Sequence, residues 1–469
     1  MSPPHRLEHV YRLRPIDRLL EDRELDDRYI YLASPRELND PMEGYQDVFW
    51  LGDQILWENL LRHYVLLLIS NVTLAHMSGN TYSGPPPVRP TMTEDDLPTD
   101  AFRRAYRSAC DKFLEETTIA ALPEQLGRLS TPLRIAGLRV LLAFVHHNAL
   151  AAISRTLADA GMLPPGFPLM SPREVDLSYL FLATERLPQH FDVVSAVGDA
   201  FRDMETLRVL AGPSGGKPSP EQRRRSFLLL SFPDHYATAI VDALVHPPWH
   251  VACFSESCTN ASMWSTYADG HAGAALMFRI EHGANGAPSI PLEGVVAVAS
   301  SQDDPQPRYQ RGRVSGRLHR VEYEAAAPEL DFFKFLGRLP RPKLTSSWYS
   351  NRLGQRSPLL ERIFGNEAAW RRDLWNTFER MTTTKLPDWK HEQEYRIVMD
   401  DLLALREVDR KVTYEHAQLA GIVFGLKTRQ ADRLEIMRRA ASARAASSSP
   451  ALSFFQIGYA PSTRQLIRL

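Results

Sequence analysis

The chain has 469 residues, of which 44% are hydrophobic, 24% charged and 9% aromatic, a globular composition that excludes collagen, a long coiled coil and disorder throughout. Its 55 Lys and Arg balance 56 Asp and Glu, and a formal charge of -1 supplies no global field to recruit nucleic acid or an anionic membrane. Three cysteines, Cys110, Cys253 and Cys258, cannot form a disulfide framework or a four-thiolate zinc site, so a reducing, cytoplasmic setting is expected.

The opening MSPPHRLEHVYRLRP has no basic region running into an apolar one, and no export signal is expected from it. Strand signals follow at residues 10–13 and 29–33, with a helix between them over 16–25. Ser34-Pro35-Arg36-Glu37 is a capping box with Pro at the first helical position, and Asn39-Asp40-Pro41 ends the short helix it starts. Residues 53–247 read as helices only, with apolar residues at helical spacing over 102–113 and 133–153 and further capping boxes at Ser171 and Ser219. The apolar runs 64–69 and 135–145 are too short, or too interrupted by Arg139, for the ~20 residues of a bilayer span, and are expected to be buried helices. After Pro247-Pro248 strands are expected at 250–255, 273–280, 293–300, 394–399, 420–425 and 452–459, with helices from Thr259 or Asn260 to Tyr267 and over 430–445. The expected fold is α+β: a small mixed sheet assembled from N- and C-terminal segments (1–52 and 248–469) around a large all-helical insertion (53–247).

No Walker loop, Rossmann glycine fingerprint, HExxH or GxSxG is present, so the simplest signs of ATPase, dehydrogenase, zinc protease and α/β-hydrolase are missing. His146 and His147 point about 100° apart on a helix and cannot easily share an ion. Three polar clusters remain. Arg12 and Arg14 share one face of the first strand, either as an anion site or as a solvated surface. Trp264 and Tyr267 share a helix face after Cys253-Phe254-Ser255-Glu256, either as core or as the wall of a slot for a flat ring. Glu392, Glu394 and Arg396 project on one face if the segment is a strand, and two carboxylates so placed can divide the work of binding a sugar hydroxyl and steadying a developing cation; a surface ladder of charges is the plain alternative.

Tyr11-Arg12-Leu13-Arg14-Pro15, Tyr31-Leu32-Ala33-Ser34-Pro35, Leu38-Asn39-Asp40-Pro41-Met42-Glu43, Cys253-Phe254-Ser255-Glu256, Met263-Trp264-Ser265-Thr266-Tyr267-Ala268, Glu394-Tyr395-Arg396-Ile397 and Ile422-Val423-Phe424-Gly425 occur in an order that resembles the bacterial domain of unknown function family 2971. The layout of an early Arg, a strand like 31–34 and a late Glu-x-Glu also resembles that of ADP-ribosyltransferases. That second resemblance implies NAD as a substrate, with no metal. Arg12 would hold the pyrophosphate or ribose, Ser34 or Ser255 would support the nicotinamide ribose, and Tyr31, Trp264 or Tyr267 would meet the nicotinamide ring. Glu394 would stabilise the oxocarbenium ion and Glu392 would orient the acceptor, while Arg14, Asn39 and Asp40 complete the binding set. A toxin or phage-defence effector is the setting the family resemblance implies, with the helical insertion meeting an unidentified macromolecular acceptor or regulator, and a homo-oligomer as an option.

Two other readings stand beside this one. The first is a non-catalytic module that binds a nucleotide or a partner, in which Asn39-Asp40 and Trp264 to Tyr267 only hold loops to the sheet. The second is a metal-dependent nuclease using Asp40, Glu43, Glu392 and Glu394 as oxygen ligands.

Overall fold

In the computed structural model, which describes residues 7–77, 87–164, 166–174, 219–283, 286–299, 308–445 and 450–469, the chain divides into two compact units. The first is Met1–Tyr45 with Pro248–Pro328 and Glu379–Leu469; the second is Gln46–Pro247 with Glu329–Phe378. The second unit therefore takes in Glu329–Phe378, which the sequence reading leaves with the α+β core. Hydrophobic burial accounts for this: Phe332, Phe333, Trp348 and Trp370 belong to the same apolar cluster as the helices Gln54–Met77 and Ile135–Asp159.

The first unit is α+β. Its main strands are β1 (His9–Arg14), β2 (Tyr29–Tyr31), β3 (Trp249–Ser255), β4 (Ala274–Arg279), β5 (Leu292–Ala299), β6 (Arg308–Val314), β7 (Leu318–Arg320), β8 (Glu394–Asp400), β9 (Lys411–Thr413), β10 (Leu419–Phe424), β11 (Ser453–Ala460) and β12 (Gln465–Arg468). Eight of them form one mixed sheet in the order β7-β8-β3-β1-β4-β10-β11-β12, with only the β10–β11 pair parallel, and β6-β5-β9-β2 form a second, antiparallel sheet. The large sheet is wider than expected because strands such as β7 and β12 are short and polar and carry no apolar run. Side chains alternate between two buried clusters, Val10, Leu276 and Phe278 in one and Leu13, Ala275 and Met277 in the other. Burial on both faces is why β4 and β10 read as unbroken apolar runs. The first helix stops at Leu20, five residues before its apolar pattern does, and the chain beyond turns through a left-handed Arg23.

One junction in this sheet shapes everything that follows. β1 pairs with β4 from His9↔Arg279 to Arg14↔Ala274 and β3 pairs with β8 from Glu394↔Ser255 to Asp400↔Trp249, yet β1 and β3 meet at the single rung Tyr11↔Ser255. Beyond that rung the strands part. Val251 of β3 exchanges both backbone hydrogen bonds with Ala33 instead, each at 2.8 Å.

The second unit is built on the helical region 54–159. Thr99 caps Asp100–Leu114 by accepting the Phe102 N–H at 3.2 Å. The unit is not all-helical: Asp47–Trp50, Leu133–Arg134 and Glu329–Asp331 make a small sheet, too short to announce itself in the sequence. The helix Ile135–Asp159 outruns the apolar stretch 135–145 and is long and apolar enough to cross a membrane by length and composition, but 67% of its most apolar window is buried inside the fold. The helix expected after Ser171 lies outside the described residues.

Two of the buried histidines, His63 and His146, sit hydrogen-bonded among these helices. His63 faces Tyr236 Oη through Nδ1 and the Pro90 carbonyl through Nε2, both at 2.9 Å; His146 faces Tyr64 Oη at 2.6 Å and the Leu228 carbonyl at 2.8 Å, while His147 turns away to the Ser171 carbonyl. Burial pushes each of the two buried imidazoles down to about 4. Because the neutral form is the one that folds, their stabilisation is full above the ordinary value of 6.5 and is lost as pH falls through about 4. Each contributes about 3 kcal/mol over that window. Urea unfolding followed by tryptophan fluorescence should show a steeper loss between pH 7 and 4.5 in the wild type than in His146→Gln; parallel losses would contradict it.

Candidate active site

The parting of β1 and β3 opens a cavity of about 950 Å³ in the first unit, at the upper end of what small-molecule sites need. Of the residues selected from sequence, Arg12, Arg14, Tyr31, Asn39, Ser255, Tyr267, Glu392 and Glu394 line it; Ser34, Asp40 and Trp264 do not.

The β1 wall is cationic. Arg12 and Arg14 point the same way and share Glu24, at 3.7 Å from Arg12 Nε and 3.0 Å from Arg14 Nε. One carboxylate against two guanidiniums leaves a positive charge. Arg12 is 6% exposed; its Nη2 donates to the Tyr31 carbonyl at 2.9 Å, and its Nη1 is buried without a protein acceptor. Burial, and then Arg14, push its guanidinium down to about 10. An unpaired N–H in such a place costs free energy unless an anion or water meets it.

The opposite wall is a chain of buried charges. Glu394 opens β8, but Glu392 is not on that strand. It ends a 3₁₀ turn, Pro387–Glu392, and Gln393 between them is left-handed at φ 46°. The expected one-strand ladder is thus a kink, pinned where Ser255 Oγ donates to the Glu392 carbonyl at 2.8 Å and the Glu256 N–H to the Gln393 carbonyl at 2.9 Å. What joins the two carboxylates is Lys385, whose Nζ lies 2.7 Å from Glu392 Oε2 and 3.4 Å from Glu394 Oε2. Tyr267 Oη donates to the other Glu392 oxygen at 2.6 Å. Arg396, fully buried, directs Nε to Glu394 at 2.8 Å, Nη2 to Glu43 at 2.9 Å and Nη1 to the Thr382 carbonyl at 2.7 Å. Three carboxylates and two cations leave this wall negative.

Burial pushes the Glu394 carboxyl up, but Arg396 and Lys385 outweigh it and hold the group at about 2. Glu43 shares Arg396, and there burial prevails and raises the carboxyl. The two directions differ because Glu394 has Lys385 as a second close cation. Lys385 itself is raised: burial favours its neutral form, and Glu394 with Glu392 overcomes that. Burial raises the Cys253 thiol well above its ordinary value, with Glu394 adding to it, so this cysteine is not a thiolate nucleophile.

The three residues outside the cavity have structural duties. The Ser34 backbone N–H donates to Glu37 at 2.6 Å in a closed capping box. Asp40 accepts the Met42 N–H at 2.9 Å, a turn that delivers Glu43 to Arg396. Trp264 is fully buried, with its indole N–H on the Cys258 carbonyl at 2.7 Å, which makes it core. The nuclease reading gains nothing from this geometry. Asp40 caps a turn, the three glutamates face Lys385 and Arg396, and no set of three His, Cys, Asp or Glu suited to a metal occurs among the described residues.

Lys385, Glu24 and the pairing partner Glu43 were not read from sequence as parts of an anion or glycosidic site. Glu24 sits ten residues from Arg14, and Lys385 seven and nine residues from Glu392 and Glu394, across irregular turns, where no periodicity connects them. Without Lys385 the paired carboxylates would sit side by side, and one would hold a proton. Lys385→Met is therefore expected to raise one glutamate carboxyl toward neutral pH, read by carboxyl carbon NMR; titrations unchanged from the wild type would refute the clamp.

Compared with protein-family models, with curated proteins and with solved structures, the chain matches none of them.

Proposed function

We propose that the first unit binds NAD in this cavity and breaks its nicotinamide–ribose bond, transferring ADP-ribose to an acceptor, as ADP-ribosyltransferases do. The observation that carries the reading is that one cavity has two arginines on one wall and two carboxylates joined by Lys385 on the other. Tyr11 and Glu394 both pair with Ser255, so their backbones stand two strand spacings apart, about 10 Å. β3 fills that interval at the rung itself, so a substrate that meets both walls lies beyond it, where β1 and β3 part.

The chemistry follows from the charges. The diphosphate meets Arg12 Nη1 and Arg14, groups suited to bidentate phosphate contacts. As the bond from the ribose C1 to the nicotinamide nitrogen breaks, its electron pair stays on nitrogen and neutral nicotinamide leaves. The positive charge left on the ribose is steadied by Glu394, which its cationic partners keep anionic and which has no proton to give. The acceptor lone pair then bonds to C1, and its proton passes by Glu392 to water.

Binding without turnover is the second reading. It is favoured by depth, since Glu392 and Glu394 are 2% and 3% exposed and both already carry ionic partners. Nicotinamide release by the purified protein, assayed with cell lysate as a source of acceptors and beside a calorimetric titration with NAD, separates the two. Binding with release supports the transferase, binding alone supports the module, and neither one sinks both forms of the NAD reading.

A further inference from the structure

We propose that the acceptor is a single-stranded nucleic acid, held along the outer face of the sheet β6-β5-β9-β2. The chemistry of transfer rests on the NAD reading above; the binding does not.

The inner face of that sheet is apolar, with Ile30, Leu292 and Val412 buried and Val314 packed against them. Alternation sends Tyr29, Tyr31, Lys411 and Arg313 to the other side, in the pairs Thr413↔Tyr29, Lys411↔Tyr31 and Arg313↔Glu293. Arg311 stands two residues before Arg313 on β6, so their Cα atoms lie about 7 Å apart on one face. Both are exposed, and Arg311 Nη2 reaches across β5 to the Lys411 carbonyl at 3.3 Å. Cations cover the aromatic rings: Arg406 lies 4.2 Å from the Tyr309 ring centre, Lys411 4.4 Å from Tyr29 and Arg410 5.0 Å from Tyr31. Along β6, from Arg308 through Val314, the sequence holds no Asp or Glu, in a chain whose overall charge is -1. Arg406 is paired with Asp409 and Arg410 with Glu37, so the excess positive charge on this face rests on Arg311, Arg313 and Lys411 against Glu293, and it has an aim: Tyr29, Tyr31 and Lys411 line the NAD cavity as well. The face runs into the site.

This chemistry favours a phosphodiester strand over an acidic peptide. Guanidiniums at alternate strand positions suit a regularly repeating anion, and an arginine plane over a tyrosine offers a base a surface on which to stack. A base still stacked in a duplex cannot reach Glu394 without being flipped out at a cost of about a few kcal/mol, which favours single strands. In the transfer, a base nitrogen gives its lone pair to the ribose C1, nicotinamide leaves with the old bonding pair, and the proton displaced from the base goes by Glu392 to water.

The test uses the full chain, a labelled oligonucleotide of about twelve residues, fluorescence anisotropy across a salt series, and NAD calorimetry on the same samples. With about three phosphates met, the wild type should show a log–log salt slope near -2. Arg311→Gln/Arg313→Gln should weaken binding at least tenfold and flatten the slope, with NAD binding unchanged and circular dichroism confirming the fold. Duplex DNA of the same sequence should bind more weakly than the single strand. Oligonucleotide binding that is absent in the wild type, unaffected by the double substitution, or matched by a glutamate-rich peptide overturns the proposal. Oligonucleotide binding without NAD binding leaves this surface standing and removes the NAD reading alone.

Discussion

Glu394→Gln is expected to lower nicotinamide release from NAD about 100- to 1,000-fold, the usual cost of losing one electrostatic group that acts on a transition state. NAD affinity should change little, because the diphosphate is held on the arginine wall. The loss is one of charge rather than shape: glutamine keeps the volume and one acceptor oxygen, and Arg396 and Lys385 retain Glu43 and Glu392 as partners. Glu394→Asp, which keeps the charge but withdraws it, should fall between. Since the wild-type carboxyl is held at about 2, acidification from pH 8 to 5 leaves it ionised, and any acid limb in the rate over that range belongs to another group. A Gln variant that is folded by circular dichroism and releases nicotinamide at the wild-type rate would remove Glu394 from the chemistry.

The largest effect on stability is expected at Arg396. Arg396→Met strands Glu43 and Glu394 without their shared cation where both side chains are almost wholly buried, and breaking a buried pair in this way costs about 3–5 kcal/mol. Adding Glu43→Gln removes one of the orphaned charges, so the double variant should be more stable than Arg396→Met alone, a coupling that a thermodynamic cycle reads directly. The sign of the pH effect follows. Orphaned carboxyls rise in the folded variant, they favour folding once protonated, and the deficit relative to wild type should shrink as pH falls from 8 to 5. Urea midpoints followed by tryptophan fluorescence measure all three; a deficit below about 1 kcal/mol, or one that grows on acidification, would contradict the account.

Much of this was legible in the sequence, for physical reasons. Strands buried on both faces, such as β4 and β10, announce themselves as apolar runs, and capping residues such as Ser34, Thr99 and Ser219 mark helix starts because their hydrogen bonds are local. Arg12 and Arg14 were placed on a common face by the two-residue period of a strand. What stayed hidden depends on distance. β6 and β7 are polar edge strands with little apolar signal, and Glu329–Phe378 joins the helical unit through aromatic contacts that no local pattern encodes. The site shows both limits at once. The Glu-x-Glu spacing pointed to paired carboxylates, but the left-handed Gln393 and the clamp by Lys385 arise from packing around Ser255 and Glu256. Trp264 shares its helix with Tyr267, yet one ring went to the core and the other reached Glu392.

The single rung between β1 and β3 also governs when the site comes into being. Its cationic wall is made within the first thirty-odd residues, while Lys385, Glu392, Glu394 and Arg396 follow more than 350 residues later, and the sheet that carries both walls continues through β10 and β11. At about 5–20 residues per second, synthesis alone separates the two walls by tens of seconds. Contacts so far apart in the chain close late in folding. A nascent or truncated chain ending before Lys385 therefore carries the arginines with no carboxylates opposite them, and on the proposed chemistry its capacity to act on NAD appears only once synthesis has passed Arg396.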